Sequence, residues 1–217
     1  MSLAYDISDH RGAAAPNALT DVLDTHGTRI SCARNEEIYA QEDPVERLFQ
    51  VVSGVVRTTR FTVDGRRQVG DFYYPGDLFG LEVGPNHDFS AEALTDCQLQ
   101  VVRQASVRAF AGDTELDRAI LNATRRELQR SQEHVLLLGR KGAREKVAAF
   151  LMSLAQNDNS ADIELPMGRQ DMADYLGLTI ETVSRMLTQL QTDNVVAFPS
   201  TRRFQVTQWD LLEAIAD

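Results

Sequence analysis

The sequence predicts an α+β chain in three parts: an N-terminal β-roll or jelly-roll, one long helix, and a compact C-terminal domain of short helices with a β-hairpin. Short β-type runs recur from Thr28 to about Arg108, punctuated by Gly and Pro. Residues 114–138 contain neither Gly nor Pro, as a long helix requires. After Gly142, helical spacings return, are broken by one glycine, and give way to two strand-like runs.

The 217 residues suffice for one large domain or two small ones, and 43% hydrophobic content suits ordinary cores. No run approaches the ~18 apolar residues of a membrane span. Residues 1–16 lack the apolar core of a secretion signal, so the expectation is a cytoplasmic protein with no membrane partner. Two cysteines, Cys32 and Cys97, make neither a disulfide framework nor a four-cysteine metal or iron–sulfur site within one chain. The net charge is −10. Residues 139–217 carry eight basic against eleven acidic side chains, so any nucleic-acid contact must rest on a local basic patch while the acidic body repels DNA.

Residues 1–27 are polar and read as a flexible segment with one short helical turn around Leu19 to Leu23. Residues 28–112 form the barrel. Its strands are Leu48–Val52, Val55–Phe61, Gln68–Tyr73, Phe89–Ala93 and Cys97–Val102, with turns at Ser53-Gly54, Asp64-Gly65, Pro75-Gly76-Asp77 and Gly84-Pro85-Asn86. Residues 113–138 are the long helix. Asp113 or Thr114 can cap it, and Glu115 suits the dipole of its first turn. Alternating steps of three and four select Leu121, Thr124, Leu128, Ser131, Val135 and Leu138, an a/d seam with small polar residues at two positions. About 25 helical residues span roughly 37 Å, more than the barrel needs, so a homodimer seam is favoured over packing on the chain's own barrel. Leu136 and Leu137 point to the other side. Gly139 to Gly142 reads as a hinge, and residues 139–217 as the last domain.

That domain opens with a helix from Ala143 to about Gln156, ended by Asn157 to Ser160, and a short strand at Ile163 to Leu165. Met172, Ala173 and Leu176 then line the inner face of a two-turn helix, Gly177 supplies a positive φ to reverse the chain, and Leu178 plugs the corner. Thr179 caps a second helix with Val183, Leu187 and Leu190 buried. Helix, glycine turn, helix is the helix-turn-helix layout. Glu181, Ser184 and Arg185 lie near the N-terminus of the second helix, away from its apolar stripe. A helix in the major groove reads bases with such residues: arginine grips guanine O6 and N7, and glutamate accepts from cytosine N4. The alternative is a Glu–Arg pair that solvates a surface helix. Val195 to Phe198 and Phe204 to Val206 form a hairpin, the wing of a winged helix, with Arg202 and Arg203 at its tip; these arginines, with Arg169, Thr179 and Thr182, are the candidates for phosphate contact. A merely solvated tip is the alternative.

The run from Gly65 to Val69 through Pro75-Gly-Asp-Leu-Phe-Gly80 resembles the effector domain of the Crp/Fnr superfamily of bacterial regulators. The stretch from Leu165 to Arg185, with Asn86-His-Asp-Phe-Ser-Ala-Glu-Ala93, is similar to that family's FixK branch. The resemblance covers nearly the whole chain after residue 28. It implies a homodimeric activator whose winged helix-turn-helix binds a TTGA…TCAA palindrome, contacts RNA polymerase, and controls microaerobic or nitrogen-fixation genes, regulated mainly by its own abundance.

Departures from the family pattern bear on ligands. The Crp branch has arginine and glycine where this chain has Ile180 and Ser184, and Glu181-x-x-Ser184-Arg185 is the Fnr/FixK pattern. Cyclic-nucleotide binders carry Gly-Glu and then a phosphate-holding arginine after the Phe-Gly turn. Here Phe79-Gly-Leu-Glu82 is followed by Asp88-Phe-Ser-Ala91, so no cyclic nucleotide is expected. No cysteine precedes Cys32, so no Fnr-type cluster is expected either. Cys32 and Cys97 read as barrel residues, with redox modulation as the alternative. His10, His26, His87 and His134 are scattered, which argues against a metal-dependent jelly-roll enzyme; His87 reads as a loop residue, with haem ligation as the alternative. No nucleophile–base motif appears, so the chain is expected to be neither an enzyme nor a cofactor protein. The runner-up is a regulator of the same architecture sensing haem, nitric oxide or another small molecule in the barrel.

Overall fold

A computed structural model describes residues 18–82, 84–109, 114–140, 142–156 and 160–217. It separates into two compact units, one ending at Ser131 and the other spanning Gln132–Asp217. The boundary falls inside one continuous helix, upstream of the hinge expected at Gly139.

The first unit opens with α1 (Ala18–His26). The sequence suggested only a turn around Leu19 to Leu23, and residues 1–17 lie outside the described residues. The longer helix has a tertiary cause: Leu19 and Leu23 are buried beside Leu48, Val102, Val107 and Leu116. Eight strands follow: β1 (Thr28–Cys32), β2 (Glu37–Tyr39), β3 (Arg47–Ser53), β4 (Val56–Phe61), β5 (Arg67–Tyr73), β6 (Leu78–Phe79), β7 (Ser90–Ala93) and β8 (Cys97–Arg103). They make two four-stranded sheets, ordered β1-β8-β3-β6 and β2-β7-β4-β5, with antiparallel pairing throughout. Tyr39, Phe49, Val51, Val56, Tyr73, Phe79 and Leu99 fill the space between them. This is the expected double-sheet roll. β3 is buried on both faces, because Phe49 and Val51 face the core while Leu48 faces α1. The turn from β3 to β4 needs its glycine: Gly54 has φ +84°, and a Cβ there would stand 2.3 Å from the Asp96 carbonyl.

His87 lies in a loop, as expected, but the loop buries it. Its ring is buried and stacked on Tyr39 at 3.7 Å, with Nδ1 3.0 Å from Glu82 Oε1. The cause is local backbone pairing: the His87 N–H donates to Asp43, and the Glu42 N–H donates to His87, both at 2.9 Å. This pulls the loop over the tyrosine.

After α2 (Gln104–Ala109) comes α3 (Thr114–Arg140); Asp113, the other proposed cap, lies outside the described residues. The helix runs through Gly139, where the sequence suggested an interruption. Glycine lowers helix propensity by only about 1 kcal/mol, too little to stop an established helix. Leu116, Ala119 and Ala123 pack on the barrel, so one face of α3 does serve its own chain. On the same side Tyr73 Oη donates to Glu127 Oε1 at 2.8 Å, while Arg130 pairs with Asp77 at 2.5 Å and with Asp71 at 3.8 Å.

The second unit contains α4 (Ala143–Ala155), β9 (Ile163–Glu164), α5 (Arg169–Leu176), α6 (Ile180–Thr192), β10 (Val196–Ser200), β11 (Arg203–Val206) and α7 (Trp209–Ala216). Glu145 accepts the Gly142 N–H at 2.7 Å and fixes the start of α4; residues 157–159, read as its stop, lie outside the described residues. The strands form one sheet, β10-β11-β9. Val147, Leu151, Met172, Leu176, Val183, Leu190, Phe204 and Leu212 are fully buried. α7, which the sequence reading did not contain, closes this core with Leu212. No described helix is long and apolar enough to cross a membrane.

Candidate DNA interface

The geometry around Gly177 sets the position of α6. Asp171 Oδ2 accepts the Gly168 N–H at 3.1 Å, which anchors the start of α5. Gly177 then adopts φ +62°, ψ 38°, and the Leu178 N–H reaches back to the Ala173 carbonyl at 2.9 Å. Thr179 Oγ1 accepts the Thr182 N–H at 3.3 Å, capping α6. Val183, Met186, Leu187 and Leu190 form its buried stripe; Met186 extends the stripe expected from spacing.

Glu181 and Arg185 are exposed, and Ser184 is partly exposed. The Glu181 carboxyl sits below the usual carboxylate range, because its own backbone N–H and then the Thr179 hydroxyl donate to it. It is therefore an anionic acceptor at the helix entrance. Among the described residues Arg185 takes no ion pair, so the solvating Glu181–Arg185 bridge is not formed. Five guanidinium donors and a carboxylate thus stand on one exposed turn and a half of helix.

The five residues assigned to phosphate are distributed unevenly. Arg169 is exposed as the first residue of α5, and Thr182 is half-buried with its hydroxyl 3.2 Å from that of Thr179. Arg202 lies at the hairpin tip, but its guanidinium donates to the Pro166 carbonyl, and its own carbonyl accepts the Leu165 N–H at 2.8 Å. Arg203 opens β11 and pairs with Asp162 at 3.5 Å. Pro166 and Asp162 therefore brace the wing. Sequence reasoning missed both, since about forty residues separate each from its arginine and no local pattern marks the pairing.

On α3, Leu121, Leu128 and Val135 are 58%, 59% and 68% exposed, a stripe at steps of seven. Ser131 lies between them and is exposed. Thr124 is half-buried and donates its hydroxyl to the Ile120 carbonyl at 3.0 Å. Leu138 departs from the stripe: it is half-buried, and a Cβ on Gly177 would lie 3.4 Å from its Cδ2. It packs near the helix-turn-helix corner, with His134 stacked on Tyr175 at 4.0 Å close by in sequence.

Residues 145–215 match the family model of the Crp-like helix-turn-helix domain, and residues 29–113 that of the cyclic nucleotide-binding domain. The nitrogen fixation regulation protein FixK of Azorhizobium caulinodans is 46% identical over 202 residues, 89% of this chain and 82% of the relative. The chain belongs to the Crp/Fnr family, in its FixK branch. A FixK from Rhizobium meliloti is 40% identical over 83% of each chain. The structure of FixK2 from Bradyrhizobium japonicum matches this FixK-type fold with a TM-score of 0.84 and 41% identity, covering 88% of this chain and 98% of that one. These relatives are regulators rather than enzymes, and this Crp/Fnr protein is a transcription regulator with a helix-turn-helix.

Proposed function

We propose that this FixK-type regulator binds a TTGA…TCAA palindrome as a homodimer and activates transcription with RNA polymerase in the cytoplasm. The observation that carries the reading is the uncommitted Arg185 beside the anionic Glu181 on the first turns of α6. Arg185 grips the guanine, Glu181 accepts from a cytosine amine, and Ser184 discriminates a neighbouring thymine. Arg169 and Thr182 at the helix starts take phosphate, joined by Thr179 when its hydroxyl turns from Glu181 to the backbone of the DNA, while Arg202 and Arg203 serve from the braced wing. Leu121, Leu128 and Val135, flanked by Thr124 and Ser131, form the seam; Leu138 sits at its margin. No cyclic nucleotide and no iron–sulfur cluster is needed, consistent with exposed Asp88 where the family's binders place a phosphate arginine. The FixK names of its relatives extend the role to nitrogen-fixation genes.

Two variants test the reading. Arg185→Ala should weaken binding to the palindrome by about 1–3 kcal/mol and leave scrambled DNA nearly unchanged; equal losses on both duplexes would remove α6 as the reader. Leu128→Glu places a charge against its symmetry mate at a cost of several kcal/mol. Sedimentation should then show monomers, and an intact dimer would sink the seam.

A further inference from the structure

Cys32 and Cys97 are 65 positions apart in the chain yet stand directly opposite each other, as register partners on antiparallel β1 and β8. Residues opposite one another on such a pair project to the same face of the sheet. Both side chains join the same core cluster, and both are buried free thiols. Cross-strand partners have Cα atoms about 4.5–5.5 Å apart, inside the ~4.4–6.8 Å range that a disulfide spans. We propose that Cys32 and Cys97 form a reversible intrachain disulfide, a redox modification site that ties the edge strand of the barrel to the strand leading into α2.

The surroundings keep the reduced form stable. Burial pushes both thiols up, and Glu36 adds to the effect at Cys32 while Asp96 adds to it at Cys97. Cys97 Sγ also donates toward the carbonyls of Thr95 and Val55, at 3.1 and 3.2 Å. β1 is the outer strand of its sheet, with only β8 beside it, and Cys32 is its last residue. Fraying of this edge gives a reagent access to Cys32 first. With glutathione disulfide as oxidant, the Cys32 thiolate attacks one sulfur and releases one glutathione. The Cys97 thiolate then attacks the Cys32 sulfur, forming the Cys32–Cys97 bond and expelling the second glutathione. Two protein thiols are oxidised, one disulfide is reduced to two thiols, and the protons lost by the cysteines end on the released glutathiones.

The consequence lies within the first unit. α1 precedes β1 and is tied to β8, where Gln100 Nε2 donates to the Leu23 carbonyl at 2.7 Å. Oxidation closes a long loop and raises the thermal stability of the barrel.

The full-length protein should be titrated against ratios of reduced to oxidised glutathione and followed by intact mass, thiol counting and thermal melting. The expected result is loss of two hydrogens and both thiols per chain without addition of glutathione. A single peptide pair containing Cys32 and Cys97 should appear in a non-reducing digest, with a rise in Tm that dithiothreitol reverses. Cys32→Ser and Cys97→Ser should each abolish the rise in Tm. The Cys32→Ala/Cys97→Ala variant, checked for native circular dichroism, should melt identically in both buffers. Stable glutathione adducts on the separate cysteines, a cross-link between chains, or two unreacted thiols at the most oxidising ratio would each overturn the assignment.

Discussion

Charged residues near the middle of α3 and at the start of α6 have opposite surroundings. Glu127 and Arg130 on α3 are turned into the barrel and meet Tyr73, Asp71 and Asp77. Burial opposes the charge of Arg130, but Asp77 and then Asp71 outweigh it and raise its pKa further. An upward shift has the opposite effect on the charge of Glu127: burial, then repulsion from Asp71, raises its carboxyl to about 7 and favours the neutral form. Glu181 and Arg185 on α6 face outward, and only Glu181 has protein partners, both at its own helix entrance. The same two residue types hold architecture where the fold surrounds them and remain available to a ligand where it does not. Sequence alone treats both as polar positions on amphipathic helices.

The sharpest way to break this contrast is Arg130→Ala. It removes the cation that faces Asp77 and Asp71 in a largely buried site, so stability should fall by about 3–5 kcal/mol, read by urea unfolding. A loss under 1 kcal/mol would mean that the inward cluster is ornamental.

Glu127→Gln probes the same cluster through pH. The folded state holds the Glu127 proton more tightly than the unfolded chain, whose ordinary value is 4.5. Its stabilising contribution is therefore complete below about pH 4.5 and is lost as pH rises through about 7. Wild type should lose on the order of 3 kcal/mol across that window relative to the Gln variant. Parallel stability profiles for the two proteins would contradict a raised carboxyl.

On the outward helix the expected effects on folding are much smaller. Arg185→Ala should leave unfolding stability within about 0.5 kcal/mol of wild type while impairing DNA binding. Loss of folding would place Arg185 in the same structural class as Arg130. Arg203→Ala breaks an exposed pair with Asp162 and should cost about 0–1 kcal/mol of stability. Its effect on DNA affinity should be similar for palindrome and scrambled duplex, with a shallower salt dependence.

The two-sheet roll and the helix-turn-helix were legible because their signals are local. β3, β4, β5 and β8 carry apolar runs between Gly and Pro turns. Gly177, Thr179 and the Val183, Leu187, Leu190 stripe fix the corner and the second helix. What the sequence concealed depends on distant partners. β1 reads Thr-Arg-Ile-Ser-Cys, and only β8 beside it makes a strand of it. α1 exceeds one turn because Leu19 and Leu23 find a pocket built from β3, β8 and α3. Arg202 looked like a bare tip residue, and its bond to Pro166 depends on a strand pairing formed elsewhere. Helical spacing alone singles out Glu181, Ser184 and Arg185 as candidate base readers, but whether Glu181 and Arg185 bridge each other depends on side-chain rotamers that spacing does not fix.

The tether on Glu181 bears on timing. A short carboxylate drawn toward its own amide and the Thr179 hydroxyl has less freedom to lose when it meets a base than a longer side chain does, so part of its ordering cost is incurred during folding. The mobile partner is Arg185, which must freeze a long side chain on arrival. Discrimination between correct and near-correct sites should then develop after contact, as a difference in how long each complex lasts, with similar arrival rates for both.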